Sequence, residues 1–301
     1  MPEIVEVKLY SDFIKKKINN HELLKINILQ GRYKTHRPFK LYKKLINKLP
    51  TTIDEIKTKG KFMYLKLNNG LFIGVSLGLS GGWLFQKKNT NKYSHVNFIN
   101  TFDKDIMNTY LKNAINHLNI EFVFDKGSLF FYDQLSFGSV KIFETENELN
   151  NKLKLIGFDI MDPNTCLELF IEKINKKTNQ EKVIGNVLLD QKVIAGVGNY
   201  LRADLLWLTK ISPFRKVKDL TMDEIIKLYK NIRLLTWTLY NYDKAIELKI
   251  ISKKDKLPID YKNEFLIYNR IEDIYGNKII KEKLYEGSNI RYIYWVAKLQ
   301  K

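Results

Sequence analysis

The amino-acid sequence predicts an α+β protein in two parts. A helix opens directly into a β-rich N-terminal domain, and a helical C-terminal domain closes on a β-hairpin. Three observations carry this reading. Val5, Leu9 and Phe13 recur four apart, marking a helix that begins almost at the first residue. From Leu24 to about Phe143 the apolar residues alternate in short runs separated by turn residues, as strands packed face to face require. Beyond Asn164 the spacing returns to three and four, as in Leu167, Phe170 and Ile171, until the final stretch alternates again.

Taken in order, Val5 to Ile18 sets its apolar residues against lysines on the other side, so the helix should lie on the body and pin the chain start instead of letting it fray. The runs that follow include Lys61 to Val75, in which Asn69-Gly70 is a two-residue hairpin signal; a β-sandwich is the expected result. Glu144 to Asp162 is polar around a short apolar stretch and is expected to be the linker, giving domains of 1–150 and 151–301. Helical segments are then expected at Val183 to Leu189, Leu201 to Leu208 and Met222 to Tyr240, punctuated by Pro213 and Pro258. Turns at Gly276-Asn277 and at Glu286 to Asn289 flank Lys278 to Leu284 and Ile290 to Ala297, which form the closing hairpin.

Composition narrows the function classes. The 301 residues include 51 basic and 33 acidic ones, a formal charge of +18. That sign suits a polyanionic partner, because each phosphate neutralised by Lys or Arg releases a condensed counterion. Enrichment in Lys, Asn and Ile, of the kind an AT-rich genome imposes, is the competing source of the charge. Only seven of the basic residues are Arg, so each is informative. Cys166 is the sole cysteine, which excludes a disulfide within the chain and a thiolate zinc site, and His21, His36, His95 and His117 lack ligand spacing. A protein with no metal and no other cofactor is expected. No apolar run approaches the ~20 residues of a membrane span, and the chain start does not read as a secretion signal. An intracellular, non-secreted protein without a membrane partner is the expectation.

Three constellations carry candidate chemistry. Pro2, once the initiator methionine is removed, presents a secondary amine whose pKa near ~8 leaves it nucleophilic around neutrality, and a sugar C1′ would form an iminium with it. Glu3 and Glu6, within one turn, can act as general acid and base or merely complement the helix dipole. In the second constellation, Leu188 to Leu206, Gly196 and Gly198 permit unusual backbone angles and Asn199 stands where an N-cap belongs. Exposed amides at that helix start suit a phosphate; a helix–turn–helix corner with glycines for tight packing is the other reading. The third is Arg291, at the start of an aromatic strand, either a phosphate ligand or a solvated strand end.

Together these pieces resemble the formamidopyrimidine-DNA glycosylase and endonuclease VIII family, in motif order over nearly the whole chain. Met1-Pro-Glu-Ile-Val-Glu-Val is similar to the family start, and Gly60-Lys61-Phe-Met-Tyr-Leu resembles the hairpin with its essential lysine. Asp190 to Asn199 resembles the helix-two-turn-helix signature, while Tyr268-Asn-Arg and the Arg291 strand resemble its finger, about 265–301. The resemblance implies a bifunctional DNA glycosylase and abasic-site lyase of base excision repair. Pro2 would be the Schiff-base nucleophile, Glu3 the acid/base group that protonates the opening sugar, Glu6 its support, and Lys61 a contact to phosphate and lesion. Asn199, Arg291, His95, Gly198 and Lys192 would hold the DNA backbone while the damaged nucleotide flips out of the stack. The iminium acidifies the C2′ protons, so β- and δ-elimination follow base loss. The implied partner is damaged DNA, single- or double-stranded, met by a monomer.

Departures from the family pattern sharpen the expectation. With no cysteine near the C-terminus, the chain resembles the branch with a zincless finger. Leu79 takes the place of the residue that fills the void left by the flipped base, and Phe137 is kept. In Asp133-Gln-Leu-Ser-Phe-Gly, however, Leu135 replaces the arginine that reads the opposite base, which predicts weak discrimination there. Trp237 to Asp260 lacks the Gly-Gly-Thr-Thr that opens the 8-oxoguanine lid. The expected substrates are therefore oxidised pyrimidines, hydantoins and formamidopyrimidines. An 8-oxoguanine-preferring enzyme and a damage-binding protein without catalysis are the alternatives.

Overall fold

The computed structural model describes residues 2–96, 104–259, 261, 264–286 and 289–301. Gly287 and Ser288 of the expected closing turn, and Asp260 at the end of the lid segment, lie outside the described residues. By contacts the chain divides into two units: one runs from Glu6 to Leu155 and includes Pro2, the other from Ile156 to Lys301 and includes Glu3–Val5.

The first unit begins with α1 (Ile4–Ile18). Its core-facing residues are Val7, Tyr10, Ile14 and Ile18, a spacing close to the helical period, whereas Leu9 and Phe13 of the expected stripe lie only half-buried beside it. A strict four-residue step drifts around a helix by ~40° each turn and walks off the core. Then follow β1 (Glu22–Ile28), the short helices α2 (Arg32–Thr35) and α3 (Tyr42–Ile46), β2 (Thr51–Lys59), β3 (Phe62–Leu67), β4 (Phe72–Ser76), β5 (Gly81–Lys87), β6 (Tyr93–Ser94), α4 (Lys104–Asn116), β7 (Leu118–Phe124), β8 (Gly127–Asp133), β9 (Ser139–Phe143) and α5 (Glu146–Lys154). The strands run in the order β6-β5-β8-β7-β1-β2-β3-β4-β9. β1 and β2 pair only at Glu22↔Thr52 and Leu23↔Thr51. At that seam the sheet folds into the two layers of a β-sandwich, filled by residues such as Ile26, Ile56, Leu65, Trp83, Phe122 and Phe131.

One hairpin departs from the simplest reading of its turn. Asn69-Gly70 does not make a two-residue loop: Leu67 and Leu71 pair, Asn68 to Gly70 form a three-residue loop, and Gly70 takes φ 85° at its left-handed position. The two-residue turn is instead Gly60-Lys61, closed by the Lys59↔Phe62 pair, with Gly60 at φ 54°. The stretch expected to be a linker contains α5, whose start is capped by the Thr145 hydroxyl accepting from the Glu148 amide at 3.2 Å.

The second unit comprises β10 (Phe158–Asp159), α6 (Leu167–Ile174), α7 (Ile184–Val187), β11 (Ile194–Ala195), α8 (Asn199–Thr209), α9 (Met222–Glu247), β12 (Ile280–Glu286) and β13 (Asn289–Trp295). α9 opens with a reciprocal capping box between Thr221 and Glu224 and breaks helical geometry at Asn241. α8 is not the one-faced helix that Leu201, Leu205 and Leu208 suggest. Every residue from Tyr200 to Trp207 is buried, including Arg202 and Asp204, so it is the central helix of the unit. The finger hairpin β12–β13 pairs from Ile280↔Trp295 to Glu286↔Asn289, with Leu284 and Ile293 buried beneath it.

Candidate functional site

The chain start is held by the beginning of α8. One Glu3 carboxylate oxygen accepts from the Gly198 amide at 2.6 Å and from Leu201 at 3.4 Å, and the other accepts from Tyr200 at 3.0 Å. The Ile4 amide donates to the Gly196 carbonyl at 3.1 Å. These contacts choose between the two readings of the Gly-Val-Gly-Asn turn. A Cβ on Gly198 would lie 2.2 Å from the Glu3 carboxyl carbon, and one on Gly196, at φ 102°, would lie 2.5 Å from the Ile4 side chain. The glycines therefore permit close approach of residues 3–4. The helix-start amides, of the kind that suit a phosphate, are occupied by Glu3, so the Gly198 amide is not a phosphate donor in this arrangement. Asn199 is likewise not the cap: the N-cap residue is Gly198, and the capping acceptor comes from Glu3.

Relieved of capping, the Asn199 side chain turns to Arg202, whose Nη2 donates to its Oδ1 at 3.3 Å. The same Nη2 donates to the Tyr292 carbonyl at 2.7 Å, beside Arg291, and Nη1 donates to the Gly185 carbonyl at 3.1 Å. Arg291 itself is exposed on β13, and Lys192 is exposed before β11. The loop that carries Lys192 is tied by Gln191, whose amide donates to Leu189 and Val197 carbonyls and accepts from the Gly196 amide. Two turns of the finger segment are organised by carboxylates. Asp204 accepts from the Tyr261 hydroxyl at 2.7 Å and from the amides of Leu266, Ile267 and Tyr268 at 3.0–3.1 Å. Asp273 accepts from the amides of Tyr275 and Asn277 and from the Trp207 indole at 3.0 Å, and Trp207 stacks on Tyr275. Among the described residues no group of three His, Cys, Asp or Glu side chains is arranged to hold a metal.

In the first unit, Lys61 stands at the tip of the two-residue turn, and Glu6 is buried in the first turn of α1. His95 is half-buried after β6, its Nδ1 2.9 Å from the Val96 carbonyl oxygen and its ring 6.5 Å from that of Tyr110. Leu79 on one loop and Leu135 and Phe137 on another are tied into one tip. The Ser80 hydroxyl donates to Asp133 at 2.6 Å and accepts from the Leu135 amide, while Asp133 also accepts from the Gly138 amide at 2.6 Å. The three apolar side chains are 45, 52 and 63% exposed, which removes them from the core. Arg32, which no sequence pattern singles out, supports this tip by donating to the Ser136 carbonyl at 3.3 Å. Arg202 and Asp204 also escape the sequence reading, although two charges inside an apolar helix signal buried partners.

Residues 1–140 match the formamidopyrimidine-DNA glycosylase N-terminal domain, and residues 156–249 match the formamidopyrimidine-DNA glycosylase H2TH domain. The formamidopyrimidine-DNA glycosylase of Ureaplasma parvum is 31% identical over 250 residues, covering 80% of this chain and 79% of the relative. That of Lactobacillus gasseri is 26% identical over 282 residues, covering 92 and 88%. The Lactococcus lactis enzyme, solved in complex with DNA containing an oxidised pyrimidine, superposes with a TM-score of 0.73 at 21% identity over all of both chains. A complex of the same enzyme with abasic DNA gives 0.73 over 99% of each. The chain belongs to the formamidopyrimidine-DNA glycosylase and endonuclease VIII family and is a DNA-binding repair glycosylase.

Proposed function

We propose that this enzyme excises oxidised bases through a Schiff base on Pro2 and then cleaves the strand by β,δ-elimination. The carrying observation is the seat of Glu3. Three backbone donors at the start of α8 hold its carboxylate, and they thereby fix the residue next to Pro2. Amide donors at a helix N-terminus stabilise a carboxylate, the form that accepts a proton. In the proposed sequence the Pro2 nitrogen bonds to C1′ and the glycosidic electrons leave with the base, which takes a proton from solvent water. As the C1′–O4′ bond opens to the iminium, the proton shed by the Pro2 nitrogen passes through Glu3 to O4′. Loss of a C2′ proton then expels the 3′ phosphate, and a second elimination expels the 5′ phosphate.

Glu6 and Lys61 support this chemistry. Asn199, Arg291, Lys192 and His95 hold the backbone of single- or double-stranded DNA, with a monomer as the working form. Leu79, Leu135 and Phe137 fill the space of the flipped nucleotide; their shared exposed tip supports that role. The finger is of the zincless kind, with the Asp273 carboxylate tying its turn. Absence of the Gly-Gly-Thr-Thr lid sequence favours oxidised pyrimidines, hydantoins and formamidopyrimidines over 8-oxoguanine. Incubation with abasic DNA and borohydride tests the chemistry. A reduced covalent adduct is expected, slowed in Pro2→Gly, and Glu3→Gln should lose base excision while still cutting a preformed abasic site. No adduct with the wild-type enzyme would end the Schiff-base reading. Faster release of 8-oxoguanine opposite cytosine than of thymine glycol would reverse the lesion preference alone.

A further inference from the structure

α8 carries a guanidinium whose burial its packing does not explain. Arg202 is 0% exposed, its Nε has no partner, and burial pulls its pKa down to about 10, with nearby Glu3 partly opposing the shift. A buried cation with an unmet donor costs stability, and an apolar side chain in the same helix would avoid that cost. What the guanidinium accomplishes is geometric. Its Nη2 alone holds the Asn199 Oδ1 and the carbonyl of Tyr292, the residue after Arg291. With Oδ1 taken by Arg202, the Asn199 amide NH2 remains as a donor. Among the described residues neither that NH2 group nor the Arg291 guanidinium has an acceptor.

We propose that Arg202 is the positioning residue of the phosphate clamp: it fixes the Asn199 amide and the strand bearing Arg291 at one spacing, so that both donate to the DNA backbone together. The inference rests on reading Asn199 and Arg291 as phosphate ligands. Arg202 touches no substrate in this account. Lysine cannot replace it, since an ammonium lacks the planar fork that reaches Gly185, Tyr292 and Asn199 at once.

The test uses the full chain and a duplex containing a tetrahydrofuran abasic analogue, which binds but offers no base to excise. Arg202→Lys should weaken binding about tenfold, the scale of a lost hydrogen bond to a charged group. The slope of log affinity against log salt should fall by roughly 0.9 for each phosphate no longer neutralised. On an Asn199→Ala, Arg291→Ala background the same substitution should cost less than about twofold, because what it positions is already gone. Equal losses on both backgrounds would assign Arg202 to packing and overturn the proposal. Should Arg202→Lys not fold, Asn199→Asp reads the same contact. Its new carboxylate should pair with the buried guanidinium and raise Tm above that of Asn199→Ala, while binding still falls about tenfold. A Tm at or below that of Asn199→Ala overturns the proposal. If Asn199→Ala and Arg291→Ala leave affinity unchanged, the clamp and this inference fail together. Borohydride trapping at Pro2 reports on the chemistry separately.

Discussion

At the scale of single residues, the site depends on where a side chain is absent. Gly198 has φ −126°, open to any residue, so alanine there meets no backbone penalty. Its methyl group would nonetheless stand 2.2 Å from the Glu3 carboxyl carbon and drive that carboxylate off the three amides it accepts from. Gly198→Ala should therefore cut single-turnover base excision by about a hundredfold or more and cost roughly 1–3 kcal/mol of stability through overpacking. Gly70 is the contrasting control. It has φ 85° and open space, with nothing within 4 Å of where a methyl group would stand, so Gly70→Ala should lose about 1 kcal/mol and retain full activity. Equal activity in the two variants would mean that the tight approach of Glu3 to Gly198 has no part in excision.

At the scale of elements, the finger is governed by two carboxylates that face opposite demands. Asp273 accepts from two backbone amides, the Asn277 side chain and the Trp207 indole. Asp273→Ala should cost about 2–4 kcal/mol and speed amide exchange at Tyr275 and Asn277 ahead of the rest of the unit, with unchanged protection refuting the assignment. Asp204 is fully buried, and burial pushes its carboxyl up to about 6 despite four donors. Because the folded state then binds the proton more tightly than the unfolded chain, this group's contribution to stability is fully present below about 3.9 and lost as pH rises through about 6. The wild-type Tm minus that of Asp204→Asn should accordingly increase as pH is lowered from 8 to 4; a flat difference would show that Asp204 does not titrate in that window. These two residues also mark the limit of the sequence. Strand alternation and the helical return beyond Asn164 are legible because each follows a local period, whereas the two-residue turn falls at Gly60-Lys61 and not at the Asn69-Gly70 signal. α8 reads as one-faced in the sequence because periodicity counts leucines and cannot see that Arg202 and Asp204 find partners some 60 to 90 residues away along the chain. For the same reason the Gly-Val-Gly-Asn turn is ambiguous between phosphate binding and tight packing until Glu3 is seen against it.

At the scale of the whole molecule, the chain start contributes to the fold of the second unit, since Glu3–Val5 cluster with residues 156–301 while Pro2 clusters with the first. Functional carboxylates are commonly held at a cost in stability, so that removing one stabilises the protein. Glu3 should behave in the opposite way. Its carboxylate is the acceptor for the amides of Gly198, Tyr200 and Leu201, at a buried helix start where an unmet donor costs about 1–3 kcal/mol. Glu3→Ala should therefore lower the stability of the second unit as well as abolish excision. Hydrogen exchange should show the three amides losing protection by roughly tenfold to a hundredfold, with the Phe62–Leu67 and Phe72–Ser76 strands of the sandwich unchanged. Unchanged exchange at the three amides would mean that Glu3 is not their acceptor in solution. Equal loss in the sandwich strands would mean that the division into two units does not describe how the chain unfolds. Only loss confined to the second unit fits a start whose carboxylate, the proton relay of the proposed reaction, is also the cap of the central helix.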